Sequence, residues 1–383
     1  MAEIKNLKKA AERIKEAIKD KEKIILYGDA DLDGATSVII LQDSIKSLGG
    51  EISAVYFPDR EKEGYGITEN GLNTLKKEAP ALLIVLDCGI GNFKEVKLAR
   101  KLGFEVMIID HHEILDKLPE AQIIVDPKQK GDEYPFKGFS AAGVVFKLAE
   151  VLLGDKLTES LRKNFLELTA ISTIADMMPQ KSENKIFVEE GLSFLENSWR
   201  PGVKAFLETE SFKKYSNINQ KVSQIISILN IRDVKNSLPA SFRLLVCPSL
   251  EEAKGIIEEL LKKAERRSER IEEIRYKVEE KLQRRSEPII FEGGADFDLQ
   301  LISSVASAMC QKYLKPAFLY KKMEKESHGT VRTPKQINGV SLMKKCSKYL
   351  LTYGGHPQAA GFRLKNVNLE KFKECLIKNW KSR

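Results

Sequence analysis

Three apolar runs in the N-terminal part of this chain are each followed at once by acidic residues. The run IILYG precedes Asp29, Asp31 and Asp33, the run LLIVL precedes Asp87, and the run FEVMII precedes Asp110, His111 and His112. Runs of this kind predict buried β-strands. Ligands of open α/β sheets bind outside the carboxyl ends of the strands, so these groups can converge although they are far apart in sequence. Negative charges this close repel strongly, and a bound divalent metal ion is the simplest way to offset that repulsion.

Strand and helix patterns alternate through the first half of the chain. An amphipathic helix over residues 3–19 comes first, and the strand patterns IILYG, EISAVYF, LLIVLD, FEVMIID and AQIIVDP follow with helical patterns between them. This rhythm is typical of βαβ units and predicts a parallel, doubly wound sheet. The pattern then turns helical through LRKNFLELTAISTIADMM, which would bring Asp176 towards the sheet. We expect this α/β domain to span residues 1–248.

The C-terminal part of the chain predicts a second, smaller unit. Residues 249–286 lack proline, and their closely spaced charges alternate in sign. This pattern is typical of a long solvent-exposed helix, which we expect to link two domains. Residues 287–383 again alternate strand and helix patterns and contain the segment YGGHPQAAG. We expect this segment to be a glycine-rich loop whose backbone can approach a ligand closely.

Charge and cysteine content narrow the class of protein. The net charge is +8, with lysine and arginine crowded into the second half, which suits a polyanionic partner. The five cysteines are scattered and lack a C-x-x-C pair, so we expect them to be reduced packing residues and expect no structural zinc. No apolar stretch approaches the length of a membrane span. These features predict a soluble cytoplasmic protein with no membrane contact.

Five segments carry a resemblance to a known family. The segments GDADLDGATS, VLDCGI, IIDHH and ISTIADMMPQKSENK resemble motifs one to four of the DHH phosphoesterases, and YGGHPQAAGF resembles the Gly-Gly-His motif of the DHHA1 domain. Their order and spacing are similar to the RecJ branch, in a short form without the OB-type domain. The resemblance covers nearly the whole chain. It implies a DHH catalytic domain, a linker helix and a DHHA1 substrate-binding domain.

The resemblance also implies a role for each motif residue. Asp29 and Asp31 would bind a first metal, Asp33, His111 and Asp176 a second, and Asp87 would bridge both. Asp87, His111, His112 and Asp110 would form the catalytic set, and His112 would contact the scissile phosphate or support the cluster. Two alternatives stay open: Asp29 as a turn or helix N-cap residue, and Asp110 as a residue that orients its neighbours without touching metal. Tyr27 stands where small-molecule members of the superfamily commonly have histidine.

The residue types suit two-metal chemistry. Two divalent ions roughly 3.5–4 Å apart can generate hydroxide and stabilise the leaving oxygen of a phosphodiester. Carboxylate and imidazole ligands favour Mn²⁺, with Mg²⁺ possible. In the second unit, the resemblance implies substrate binding by Gly354, Gly355, His356 and Arg332, and a reduced 5′-end segment contributes Arg232. The alternative for Arg332 is a solvated arginine on an exposed strand.

The function predicted is a metal-dependent exonuclease that removes nucleotides from single-stranded DNA, with 5′→3′ polarity, in DNA repair or replication. The first alternative is an oligoribonuclease or dinucleotide phosphodiesterase acting on short RNA or small nucleotides. The second is a catalytically silent replication scaffold, which would be expected to lose metal ligands. The resemblance to short archaeal forms implies a GINS-like replication protein as a further partner.

Overall fold

A computed structural model of the protein describes residues 3–114, 117–231, 233–283 and 287–381. The chain divides into two compact units, Met1–Leu261 and Lys262–Arg383, because residues mainly contact others of the same unit. The boundary between them falls within a long helix that starts at Leu250. The domain limits at residues 248 and 286 therefore stay predictions.

The N-terminal unit is built on a five-stranded parallel sheet, as the sequence predicts. Its strands are β1 (Ile24–Gly28), β2 (Ala54–Tyr56), β3 (Ala81–Leu86), β4 (Phe104–Ile109) and β5 (Ile123–Val125), in the order β2-β1-β3-β4-β5. Every residue of β1 and β3 is buried, which explains why these strands read as continuous apolar runs.

Helices cover both faces of this sheet. They are α1 (Leu7–Lys19), α2 (Leu32–Ser47), α3 (Glu69–Leu75), α4 (Phe93–Lys101), α5 (Ala141–Leu153) and α6 (Glu159–Ala175). Alternate strand residues belong to two separate cores. Leu26 and Ile84 pack in the core that contains α1, α2 and α5, whereas Ile25 and Leu83 pack in the core that contains α3 and α4. The sheet is therefore doubly wound.

Smaller elements complete the N-terminal unit. They are α7 (Glu183–Leu195), α8 (Pro201–Glu208), α9 (Glu210–Lys213), α10 (Ile218–Leu229), the two-stranded β6 (Val234–Lys235) and β7 (Leu238–Pro239), and α11 (Ala240–Leu245). The predicted linker helix is α12 (Leu250–Gln283), which is 34 residues long. Among the described residues, none of the helices is long and apolar enough to cross a bilayer.

The C-terminal unit holds a second five-stranded sheet. Its strands are β8 (Ile290–Gly294), β9 (Ala317–Lys322), β10 (Glu326–Arg332), β11 (Thr352–His356) and β12 (Ala359–Lys365), in the order β11-β12-β10-β9-β8. Strands β8 and β9 are parallel and the other neighbours are antiparallel. The helices of this unit are α13 (Ile302–Tyr313), α14 (Gly339–Lys345) and α15 (Leu369–Lys381).

Two expectations are wrong in this unit. The glycine-rich segment is not a loop, because residues 352–356 form the edge strand β11 and pair with β12 in a hairpin. Gly355 has φ +129°, and a Cβ there would lie 2.7 Å from the carbonyl oxygen of Ala359, so the hairpin requires glycine at this position. A disulfide joins Cys346 and Cys375, so the expectation of five reduced cysteines holds only for the buried Cys88, Cys247 and Cys310.

Candidate metal centre

The register of the parallel sheet aligns four acidic residues at one edge. Gly28 pairs with Leu86, Leu86 with Ile109, and Ile109 with Val125. The next residue on each strand is an aspartate, namely Asp29, Asp87, Asp110 and Asp126. Three of these aspartates extend the ladder, because their backbone N–H groups donate to the last carbonyl of the neighbouring strand at 3.0–3.2 Å. The strand-end acids therefore converge, as the sequence predicts.

The first motif forms the turn from β1 into α2. Asp31 is the N-cap of α2, and its Oδ1 accepts from the backbone N–H of Gly34 at 3.0 Å. The helix-cap alternative for Asp29 is thus wrong, because Asp31 makes that contact. A Cβ at position 34 would lie 2.2 Å from the carbonyl oxygen of Asp29, so this tight turn needs glycine.

Asp33 is held by the N-terminus of another helix. Its carboxylate accepts from the backbone N–H groups of Ala141 and Ala142, both at 2.8 Å, and from the hydroxyl of Ser172. Helix N-termini stabilise negative charge. Burial nevertheless raises the pKa of Asp33. The segment GFSAAG therefore serves to fix a candidate ligand.

Asp87 lies at the centre of the cluster in a left-handed backbone conformation, with φ +61°. Such a conformation is uncommon for a residue other than glycine and is often found at functional sites. Burial, and then the charges of the neighbouring aspartates, raise the pKa of Asp87 well above its usual value. The ionised carboxylate is therefore unfavourable at this position, and a bound divalent cation would stabilise it.

His111 faces three carboxylates with one ring nitrogen. Its Nδ1 lies 2.9 Å from the carbonyl oxygen of Phe139, so Nδ1–H can donate there and leave Nε2 with a free lone pair. Nε2 lies 3.3 Å from Asp87, 3.5 Å from Asp176 and 3.6 Å from Asp33. Among the described residues, this buried Nε2 and the Oδ2 of Asp176 have no hydrogen-bond partner. Both atoms can act as metal ligands, and two ligand atoms that face each other without hydrogen-bond partners fit a cation between them.

Asp176 ends α6 and reaches the cluster from outside the sheet. It is the C-cap residue of that helix. Burial and then the charge of Asp33 raise its pKa to about 6. The described residues contain three groups whose donor atoms could hold a metal ion: Asp29, Asp31 and Asp87; Asp33, His111 and Asp176; and Asp87, His111 and His112. All six predicted metal ligands are thus brought together.

Asp110 has a different environment from the other acids. It is fully buried, and its carboxylate accepts from the backbone N–H groups of Ile90, His111 and His112 and from Nδ1 of His112. Although burial opposes it, the hydrogen bond from His112 holds the pKa of Asp110 below its usual value. Asp110 belongs to none of the three donor groups, so the structure favours the orienting role over metal contact.

Two charged residues at this centre were missed by the sequence analysis. Arg60, in the segment YFPDREKEGYG, contacts both Asp29 and Asp31. Asp126 ends β5, and burial raises its pKa to about 7. The signal for Asp126 was present, because AQIIV is a fourth apolar run followed by an acid. Arg60 follows a short half-buried strand in a polar segment, which gave no comparable signal.

The predicted substrate residues of the C-terminal unit are aligned across its sheet. Arg332 pairs with Ala359, and Ala359 pairs with His356, so Arg332 and His356 flank the same residue. The Arg332 guanidinium donates to the hydroxyls of Ser307 at 3.2 Å and Thr330 at 2.9 Å. Burial lowers its pKa. Gly354 and Gly355 are exposed on the same edge strand, and Arg232 lies outside the described residues.

Family models match both units. The model for the DHH family, N-terminal domain, matches residues 23–173, and the model for the DHHA1 domain matches residues 286–381. The structure agrees with this match. The strand-end aspartates lie within the residues that the first model matches, and the Gly-Gly-His segment lies within those that the second matches. The chain belongs to the DHH/DHHA1 phosphoesterase superfamily.

Within this superfamily the similarity is to RecJ proteins. The chain is 34% identical over 369 residues to the single-stranded-DNA-specific exonuclease RecJ of Bacillus subtilis, aligned over 95% of this chain and 46% of that protein. It is 29% identical to RecJ of Thermus thermophilus, aligned over 97% of this chain and 54% of that protein. The chain thus spans about half the length of these two relatives.

Solved structures show the same similarity. The crystal structure of an exonuclease RecJ bound to manganese has a TM-score of 0.79 at 27% identity, and the match covers 98% of this chain and 94% of that one. RecJ of Thermus thermophilus in complex with Mn²⁺ has a TM-score of 0.78 at 26% identity, covering 99% of this chain and 55% of that one. These matches confirm the predicted fold class and the resemblance to the RecJ branch.

Proposed function

We propose that this chain is a two-metal-dependent exonuclease that hydrolyses phosphodiester bonds of single-stranded DNA. The observation that carries the proposal is the position of Asp87. It belongs to one donor group with Asp29 and Asp31, and its Oδ1 lies 3.3 Å from the Nε2 of His111 in another. A carboxylate shared by two adjacent donor groups is what a two-metal site requires.

We propose Asp29, Asp31 and Asp87 as ligands of a first ion, and Asp33, His111, Asp176 and Asp87 as ligands of a second. Mn²⁺ suits these oxygen and imidazole donors, and Mg²⁺ is the second choice. When bound, the two ions supply an activated water and stabilise charge on the departing oxygen. RecJ structures have been solved with each of these metals.

The chain's own residues prepare the reaction. Asp33 is fixed by the α5 N-terminus and His111 by the Phe139 carbonyl, and these contacts leave Nε2 of His111 3.6 Å from Oδ2 of Asp33. The hydrogen bond from His112 to Asp110, and then the charge of Asp110, raise the pKa of His112 to about 9. The raised pKa favours the positively charged form of His112, which suits contact with a scissile phosphate.

The C-terminal unit supplies the proposed substrate contacts. In the described residues, the Arg332 guanidinium contacts hydroxyl and backbone oxygens but no carboxylate, which leaves its charge available to a phosphate. Gly354 and Gly355 expose backbone beside His356. We propose Arg332, Gly354, Gly355 and His356 as the substrate-binding residues. A role for Arg232, a GINS-like partner, 5′→3′ polarity and a cytoplasmic location stay predictions.

The test is a time course with Mn²⁺ on single strands of DNA and RNA labelled at the 5′ or the 3′ end. The Asp87→Ala variant is the control. Mononucleotides released first from a DNA 5′ end, and absent with the variant, support the proposal. Activity confined to RNA or to dinucleotides would move the protein to the alternative phosphodiesterase function.

A further inference from the structure

Arg60 is a positive charge built into the first proposed metal site. Its Nε and Nη2 atoms contact the two carboxylate oxygens of Asp29 at 2.8 Å and 2.5 Å, and Nη2 also lies 2.8 Å from Oδ2 of Asp31. The side chain is only 18% exposed. One guanidinium therefore contacts two of the three carboxylates in that donor group and offsets one of their two negative charges.

The loop that carries Arg60 is held by a network of hydrogen bonds. We define the Arg60 loop as residues 57–68, between β2 and α3. Within it, Glu63 accepts from the backbone N–H of Asp59 at 3.0 Å, from the hydroxyl of Tyr56 at 2.8 Å and from that of Thr68 at 2.9 Å. Tyr65 packs its ring 4.9 Å from the Arg60 guanidinium carbon.

The buried hydroxyl of Tyr27 anchors the end of this loop. It donates to the carbonyl oxygen of Gly66 and accepts from the backbone N–H of Thr68, both at 3.1 Å. Tyr27 lies on β1 and Asp29 directly follows that strand, so the loop is tied to the strand that positions the proposed metal ligands. The backbone of the Arg60 loop is thus held by contacts on both sides of this residue.

A divalent ion in this donor group would lie beside the guanidinium. Both would use the oxygens of Asp29 and Asp31, and two positive charges at that separation repel strongly where water is largely excluded. We propose that Arg60 is a resident counter-cation of the first metal site, which offsets part of the negative charge of Asp29 and Asp31 without metal and must withdraw from them for the ion to bind. Arg60 would then be a positioning residue that sets metal affinity. The inference rests on the proposed two-metal function.

Calorimetric titration of the metal-stripped full chain with Mn²⁺ tests this inference. The Arg60→Gln variant should bind the weaker of two ions at least about tenfold more tightly than the wild type, because the competing charge is gone. Arg60→Lys keeps the charge and should stay near the wild-type affinity. Arg100→Gln is the matched control, since Arg100 pairs with the exposed Glu120.

Thermal unfolding separates this role from simple support of the fold. Without metal, Arg60→Gln should melt below the wild type, because the acids lose their counter-cation, and Mn²⁺ should raise its Tm more than that of the wild type. Equal Mn²⁺ affinities for wild type and Arg60→Gln, or the same Tm loss with and without Mn²⁺, would overturn the inference. Absence of Mn²⁺ binding by the wild type would instead overturn the proposed function itself.

Discussion

The Nδ1 atom of His112 lies 2.7 Å from Oδ1 of the fully buried Asp110. This contact joins the first and third residues of the tripeptide that ends β4. The histidine is largely exposed, whereas the aspartate is also held by three backbone N–H groups. The buried acid therefore fixes both the orientation and the charge of the exposed imidazole.

We expect Asp110→Asn to lower the pKa of His112 from about 9 towards its ordinary value of 6.5. In the wild type the folded-state pKa is raised, so the ion pair contributes stability below about pH 6.5 and loses it as pH rises through 9. An NMR titration of the ring nitrogens in metal-free protein measures the change directly. The chain has four histidines, which makes assignment practical.

Glu326→Gln is the matched control for this titration. Glu326 pairs with His328 at 2.8 Å in the other sheet, so this variant should leave His112 unchanged. We also expect Asp110→Asn to lower activity by about 10- to 100-fold, as is typical when an orienting partner of a metal site is removed. An unchanged His112 titration in Asp110→Asn would contradict the assigned role.

Ser172 supports a candidate ligand without belonging to any donor group. Its hydroxyl donates to Asp33, together with the N-terminus of α5. We expect Ser172→Ala to weaken Mn²⁺ binding by about 10-fold while the protein stays folded, because the Asp33 carboxylate loses one of its restraints. Calorimetry gives the affinity and circular dichroism checks the fold. Ser193→Ala removes an equivalent hydroxyl from an exposed helix position and should bind Mn²⁺ as the wild type does.

Asp87→Asn should have opposite effects on activity and on stability. Loss of the shared carboxylate should reduce hydrolysis by at least about 10³-fold, because metal binding supplies several kcal/mol of transition-state stabilisation. In metal-free protein, however, the burial and neighbouring charges that raise the Asp87 pKa make its ionised form costly. Asparagine removes that charge and tolerates the left-handed backbone at this position.

The stability of metal-free wild type should therefore fall as pH rises above the usual carboxyl range, and Asp87→Asn should show a smaller fall. Melting curves in EDTA at several pH values measure this difference. The exposed Asp155→Asn should melt in parallel with the wild type. A metal-free Asp87→Asn protein that melts below the wild type at alkaline pH would show that the acid has a stabilising role we have not assigned.

Much of the proposed site could be predicted because strand ends in a parallel sheet obey simple rules. Asp29, Asp87 and Asp110 each follow an apolar run, and a shared register places such residues side by side. Asp176 comes from a helix end. The helical pattern directed it towards the sheet, and the family resemblance gave its role as a metal ligand. The spacing of apolar residues predicts the helix but does not give the distance from that helix to the sheet.

The parts that were missed depend on contacts distant in sequence. Arg60 reaches Asp29 because its loop is hydrogen-bonded to Tyr27 and is held internally by Glu63, and no local pattern encodes that arrangement. Strand β11 contains two adjacent glycines, which have low β propensity, and it is stabilised by pairing with β12. The Cys346–Cys375 disulfide joins cysteines with a sequence separation of 29, and no C-x-x-C or other local spacing marks them as a pair.

Arg332→Ala should weaken substrate binding and leave the chemical step nearly unchanged. We expect KM to rise about tenfold, and the salt dependence of binding to lose about one unit of slope, as for removal of one phosphate contact. Steady-state kinetics on single-stranded DNA at several salt concentrations measure both. Arg363→Ala is the control, since Arg363 is paired with Glu326 at 2.6 Å. Equal effects of the two variants would indicate that loss of any positive charge weakens binding, and would contradict a specific phosphate contact of Arg332.

Glu167 gives a pH dependence of stability away from the metal centre. It is 2% exposed on α6 and accepts from the hydroxyl of Ser198 at 2.7 Å. Burial raises its pKa from 4.5 to about 7. Between these values the folded protein keeps a proton that the unfolded chain has released, so stability falls as pH rises through this window. The difference corresponds to roughly 3 kcal/mol at most.

Glu167→Gln should abolish this contribution, because the amide does not titrate. Relative to the wild type, the variant should therefore gain stability between about pH 5 and about pH 8. Urea unfolding in EDTA at the two pH values measures the change. The exposed Glu51→Gln is the control and should follow the wild type at both. If Glu167→Gln and Glu51→Gln show the same pH dependence, Glu167 is ionised in the folded protein at neutral pH, and the nearby charge of Arg200 and the hydrogen bond from Ser198 compensate its burial.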